Sequence, residues 1–338
     1  GRIVVFTSKA TTLVPGIGNT FTQIFAHDLQ TGVTECLSTA ADGTQGNSDS
    51  RRARISEDGR FVVFESTASN LVANDINLRV DIFLVDRQTP GSIRRLSVNE
   101  FGAGGNGDSL FPSISPDGAW VAFSSLANNL VLNDTNGFND IFKLAVADPT
   151  SIKRISVTTT GLETDGNSTR PRISRNGDFI YFESTAPIFG STGKSVIVKY
   201  DEEYQTTYTP VSKGDNTAIT LDDTGNILFW EGSDETLVFH DTNLVRDVFR
   251  SPIDRVFTLA TVSVLNAVVD ENQAVATVTV RLTGLNNFTV IVDLNTANGT
   301  ATDGDDYLPR LYTLVWEPGE NGDKTVTIPI VDDLLDEP

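Results

Sequence analysis

Forty-five Asp and Glu, 25 Lys and Arg, two His and one Cys set the chemistry open to this 338-residue chain. With His27 and His240 as the only imidazoles and Cys36 as the only thiol, there is no Cys-rich zinc centre, multi-histidine metal site or intrachain disulfide. Neither histidine stands in a nucleophile motif and no G-x-S-x-G occurs, so no Ser/His/Asp triad is legible. The acids offer many carboxylate pairs for glycosidase chemistry, and nothing singles one out. A net charge of −20 repels phosphate backbones and anionic lipid surfaces, which argues against nucleic acid as a partner. Cations are the natural small partners.

The acids are densest near the end of the chain. Residues 258–338 hold 13 Asp and Glu against Arg281, Arg310 and Lys324, half the net charge in about a quarter of the length. They fall in three groups at the ends of alternating apolar segments: Asp270 and Glu271; Asp303, Asp305 and Asp306; and Asp332, Asp333, Asp336 and Glu337. Two carboxylates about 4 Å apart repel by roughly 4 kcal/mol at an effective dielectric of 20, so such groups either spread into solvent or take a cation. Hard oxygen ligands on loops suit calcium.

A second acidic pattern, D-x-N-x-x-x-D, occurs three times: Asp75, Asn77, Asp81; Asp134, Asn136, Asp140; and Asp241, Asn243, Asp247. Its first three oxygen positions match the start of an EF-hand loop. Position six is Val80, Asn139 or Arg246 instead of Gly, and no Glu stands at position twelve. Asp and Asn also brace turns through backbone N–H groups, and that role is favoured here over a subsidiary calcium site. The Gly190–Ser195 stretch lacks the first glycine and the following helix of a phosphate loop.

The elements that must position these groups repeat. Ser-x-Asp-Gly before an apolar run stands at Ser56–Gly59 and Ser115–Gly118, with looser copies ending at Gly177 and Gly225, the glycines 59, 59 and 48 residues apart. Five residues after each glycine comes an aromatic, Phe64, Phe123, Phe182 or Trp230, and Phe6 stands five after Gly1. Recurrence in every copy marks these rings as core. Each copy holds four short β segments, in the third Leu110–Ser115, Trp120–Ser125, Asp140–Val146 and Ile152–Val157. The Asp-Gly step between the first two predicts a two-residue hairpin with both central residues at positive φ. Four antiparallel strands bury both faces only by stacking radially on neighbours, which is a propeller. After Val256 the period stops, and Val262–Val269, Ala274–Leu282, Thr289–Asn295, Leu311–Trp316 and Lys324–Val331 read as a sandwich.

The text Ser113–Phe142, with a second copy at Arg54–Phe83, resembles TolB-type, WD-like propeller repeats of bacterial secreted proteins. The text Val269-Asp270-Glu271-Asn272, Asn298-Gly299-Thr300-Ala301, Asp305-Asp306-Tyr307, Glu317-Pro318-Gly319-Glu320 and Ile330-Val331-Asp332-Asp333 resembles a Calx-β domain. That second resemblance implies calcium ligation by Glu271, Asp305, Asp306, Asp332 and Asp333. It also places Asn298 where an Asp is frequent. The expected fold class is all-β: a propeller of about five visible blades over 1–257, its first copy starting at its second strand, and a Calx-β-like β-sandwich over 258–338. The absence of Met and a start inside an apolar run suggest a piece of a longer chain, and Pro338 precedes the strands that complete such a sandwich. No apolar run is long enough to span a membrane. The resemblances imply a non-enzymatic protein of the cell surface, the periplasm or the exterior, binding proteins or surface glycans and belonging to a larger assembly. The alternatives are the binding or gating domains of a secreted hydrolase and a peripheral subunit of a surface assembly.

Overall fold

The computed structural model describes residues 1–18, 20–158, 160–203, 205–211, 216–221, 227–232, 247–252, 261–265, 273–283, 290–297, 301–302, 304, 306–317, 320 and 322–331. Two compact units divide the chain, Gly1–Ile253 and Asp254–Pro338.

Unit one is a succession of antiparallel sheets, each built from strands consecutive in sequence. The first contains β1 (Ile3–Ser8), β2 (Gln23–Asp28) and β3 (Thr34–Cys36). The second holds β4 (Ser50–Ile55), β5 (Phe61–Ser66), β6 (Asp81–Asp86) and β7 (Arg94–Arg95). The third holds β8 (Ser109–Ile114), β9 (Trp120–Ser125), β10 (Asp140–Ala145) and β11 (Asp148–Arg154). The fourth holds β12 (Ser168–Ile173), β13 (Phe179–Ser184), β14 (Val196–Asp201) and β15 (Thr206–Val211), and β16 (Thr217–Leu221), β17 (Ile227–Gly232) and β18 (Asp247–Pro252) form the fifth. The first strands β4, β8, β12 and β16 touch in succession, whereas the fourth strands make no comparable contact. The sheets therefore fan outward from a shared inner edge, as propeller blades do.

The recurring aromatics are core. Phe64, Phe123 and Phe182 are fully buried, and Trp230 is nearly so. Phe6, Phe64 and Phe123 stack on Phe25, Phe83 and Phe142 of the next strand at 5.7–5.9 Å between ring centroids. Stacked pairs of this kind add about 0.5–1.5 kcal/mol beyond their buried area.

The turn between the first two strands differs from expectation. Gly59, Gly118 and Gly177 have φ of +75°, +74° and +77°, but the Asp or Asn before each does not adopt positive φ. The Gly59 N–H donates to Ser56 O at 2.9 Å and the Ser56 N–H to Phe61 O at 2.9 Å, which is a four-residue turn closed by a left-handed glycine. Close approach is a further reason for glycine. A Cβ on Gly59, Gly118 or Gly177 would come within 2.9 Å of Ile3, 2.9 Å of Phe61 or 2.4 Å of Trp120, the first residue of the preceding blade's second strand. Backbone bonds between successive turns, Glu57 N to Pro116 O at 2.9 Å and Asp117 N to Arg175 O at 3.3 Å, add to the docking.

In unit two, β19 (Thr261–Leu265), β20 (Val275–Thr283) and β23 (Gly322–Pro329) form one sheet, and β21 (Val290–Asn295) with β22 (Leu311–Trp316) the other. Val280, Leu282 and Trp316 are buried between them, with Val290, Val292, Leu294 and Leu314 packed alongside. This is the alternating pattern of a sandwich with one wet face per sheet.

Candidate functional site

Two of the three D-x-N-x-x-x-D segments form buried nodes whose cation is an arginine. Arg95 Nη1 lies 2.9 Å from Asp75 and 3.4 Å from Asp81, all three with side chains at most 10% exposed. Asn77 donates to Asp81 at 2.8 Å and to Gly105 O at 2.9 Å, while its own oxygen accepts the Arg79 N–H. Ser97 completes the shell by donating to Asp81. The next blade repeats the arrangement: Arg154 meets Asp134 at 3.0 Å and Asp140 at 3.4 Å, with Asn136 and Ser156 on Asp140. Burial, with the neighbouring carboxylate, pushes Asp75 above its ordinary value and Asp134 up to about 6. A third acid, Glu163, reaches Arg154 at 2.7 Å. Burial works against its charge, but hydrogen bonds from Thr135 and the guanidinium hold it down to about 2.

The first blade lacks both halves of this ion pair, and the fourth lacks the Asp. Where Asp81 and Asp140 stand opposite Ser66 and Ser125, the first blade has Gln23 and the fourth Val196. Where Arg95 and Arg154 stand opposite Phe83 and Phe142, the first blade has Cys36 opposite Phe25. Arg95 and Arg154 were missed in sequence, although each follows its Asp by 14 residues and precedes Leu-Ser or Ile-Ser. In the third copy of the motif, Asp241 and Asn243 lie outside the described residues, and of Asp247 only the backbone, paired with Gly232, is described.

The calcium set predicted for unit two is described only at Asp306. Glu271, Asp305, Asp332 and Asp333 lie outside the described residues. Asp306 Oδ2 accepts from Thr302 Oγ1 at 2.9 Å and from the Thr302 N–H at 2.5 Å. These bonds fix the carboxylate while its other oxygen has no bond within the described residues, a geometry suited to a hard-cation ligand. The Val331 N–H donates to Asp306 O at 3.0 Å, and the Ile330 N–H to Ala274 O at 3.1 Å. Described residues adjoining each of the three acidic groups thus meet at one end of the sandwich. Among the described residues no group of three or more His, Cys, Asp and Glu is arranged to hold a metal ion.

The described histidine and the cysteine sit in structural settings. His27 Nδ1 lies 2.8 Å from Thr34 Oγ1 on the neighbouring strand, and His240 lies outside the described residues. Burial raises the Cys36 thiol above its ordinary value, away from the reactive thiolate.

An unanticipated array lies along the inner edge. Each first strand carries a bulge at one position, where Arg52, Phe111, Arg170 and Ala218 adopt φ of +52° to +56°. The guanidiniums of Arg52 and Arg170 lie 4.3 and 5.1 Å from the Phe111 ring centroid, a stack spanning three blades. Glu65 pairs with Arg52 and accepts the Phe111 N–H at 3.0 Å. Glu183 pairs with Arg170 at 2.8 Å and accepts the Ala218 N–H at 2.9 Å. Two residues further along these strands stand Arg54 and Arg172, flanking Ser113. The repeated text Ser-x-Arg-x-Arg-Ile at Ser50–Ile55 and Ser168–Ile173 is the signal that reveals them.

Residues 257–338 match the family model described as Calx-beta domain, about a quarter of the chain. No curated protein matches the chain by sequence. Solved structures similar to it include a putative TolB from Agrobacterium tumefaciens, at 14% identity and TM-score 0.43, covering 92% of this chain and 84% of that one. TolB from Acinetobacter baumannii is similar at 15% identity and TM-score 0.43, covering 98% of this chain and 65% of that one. The propeller domain of the Trilobed protease from Pyrococcus furiosus is similar at 11% identity and TM-score 0.45, covering 94% and 81%. Likenesses this distant carry no argument about activity. The blades are defined by their own sheets and inner strands.

Proposed function

We propose that this chain is a non-enzymatic interaction protein of the cell surface, periplasm or exterior, whose blades bind a partner and whose Calx-β segment binds calcium. Glu271, Asp305, Asp306, Asp332 and Asp333 are the proposed calcium ligands. The observation that carries the calcium reading is the meeting of Ala274, Asp306 and Val331 at one end of the sandwich, because Asp306 belongs to one acidic group, Val331 precedes another and Ala274 follows the third by three residues. Several carboxylates brought to one end repel unless a cation offsets them. Calcium would act there as a clamp on three loops, stabilising the folded unit by mass action. The motif residues Asp75, Asn77, Asp81, Asp134, Asn136, Asp140, Asp241, Asn243 and Asp247 are proposed to brace blades, since the two described nodes already hold an arginine.

Calcium stripped with a chelator and then titrated back at up to millimolar concentration should give heat and a raised melting temperature. Asp306→Asn should weaken that response at least tenfold. No heat and no gain in melting temperature would sink the calcium reading.

A further inference from the structure

We propose that Arg54 and Arg172 form an anion-receiving pair at the inner edge of the blades, taking the carboxylate of an acidic peptide segment on a partner protein. This rests on reading the blades as an interaction surface. Strands β4, β8, β12 and β16 carry Arg51, Arg52, Arg54, Arg170 and Arg172 and no acid, in a chain whose net charge is −20. Arg51 is paired with Asp49, Arg52 with Glu65 and Arg170 with Glu183. Arg54 and Arg172 have no carboxylate within ion-pair distance among the described residues, and each donates to the carbonyl of the residue before it.

The arrangement is costly without an anion. Burial, followed by the charges of Arg54 and Arg170 against the pull of Glu183, brings Arg172 down to about 10, still protonated at neutral pH. Arg54 and Arg172 stand two residues beyond Arg52 and Arg170, whose guanidiniums share the Phe111 ring, and Arg54 is exposed while Arg172 is half-buried. By contrast, the recess of about 670 Å³ at the turn end of the blades contains arginines that are already paired, Arg2 with Asp28, Arg60 with Asp86 and Arg87 with Glu35.

The planar guanidinium fork suits a carboxylate, which can bridge two of them. A polyanion would have to overcome the field of the whole protein, whereas a segment with one or two acids would not.

The test uses the whole chain at low ionic strength in a calorimeter, with a blocked Gly-Leu-Glu-Leu-Gly peptide, its Gln counterpart and inorganic phosphate as separate titrants. Binding of the Glu peptide at millimolar or tighter affinity, none of the Gln peptide, and at least a tenfold loss in the Arg54→Gln/Arg172→Gln double variant are expected. Removing mutual repulsion should leave the variant's melting temperature unchanged or higher, so that loss of binding is not loss of fold. No heat from the Glu peptide, equal binding by the variant, or binding of phosphate alone would overturn the proposal. The calcium response of the same samples is read separately. Its absence with peptide binding intact would overturn only the calcium reading.

Discussion

Arg95 shows how one side chain governs a blade. It lies between two buried carboxylates, so truncation leaves both without a counter-charge, at a cost of about 3–5 kcal/mol. Arg95→Ala should therefore lower unfolding stability by that amount in denaturant titration, and a loss below 1 kcal/mol would show the node to be dispensable. The second node predicts a pH response. Asp134 titrates near 6 in the folded chain against an ordinary value of 3.8, so between these values the folded state holds the extra proton. Stability consequently rises as the pH falls from about 6 toward 4 and gains no more from this group below that range. Asp134→Asn should flatten that slope when unfolding free energies are compared at pH 4, 5 and 6. Equal slopes in the two proteins would refute the assignment. The acids of these nodes were legible in sequence because they recur at fixed spacing. Their arginines were not read, because the partner arrives from the next strand, 14 residues on, and its short Arg-Leu/Ile-Ser text does not point back to the acids.

At the scale of the strand and the turn, much more was legible, since period-two alternation is a local signal. Leu311–Trp316 is a strand at the expected limits, and Trp120–Ser125 likewise. The fourth strand of the third blade instead runs Asp148–Arg154, because a bulge between Lys143 and Ala145 shifts its pairing. The turn glycines were recognised for their φ alone, whereas their contact with the preceding blade depends on residues nearly 60 positions away. Gly118→Ala tests that contact. A left-handed alanine costs roughly 1 kcal/mol and crowding the Phe61 ring a further 1–3 kcal/mol. A drop of a few degrees in melting temperature is expected, and Gly137→Ala, with positive φ but nothing within 4 Å of the added carbon, should show the backbone part alone. Equal losses in the two variants would mean that the Phe61 contact contributes nothing.

For the molecule as a whole, two compact units with separate cores predict that unfolding is not all-or-none. Scanning calorimetry should resolve at least two transitions, and calcium should raise only the one belonging to the sandwich. A single transition that calcium moves as a body would contradict independent units. The division of charge was visible in composition, which placed half of the −20 in the last quarter of the chain. The opposite feature, an arginine-lined inner edge within an acidic protein, was hidden in the same totals because five residues do not shift a sum.

The turn glycines bear on how such a chain lengthens. The second, third and fourth blades each carry a plug, a left-handed glycine, seated on the second strand of the blade before. Plug and seat lie at different places on the same unit, so the joint is head-to-tail and does not use itself up. A 59-residue copy inserted or removed in frame would therefore meet a fitting seat before it and present a fitting plug after it. Blade number can then change by whole-copy duplication or loss with the same kind of joint kept at each junction.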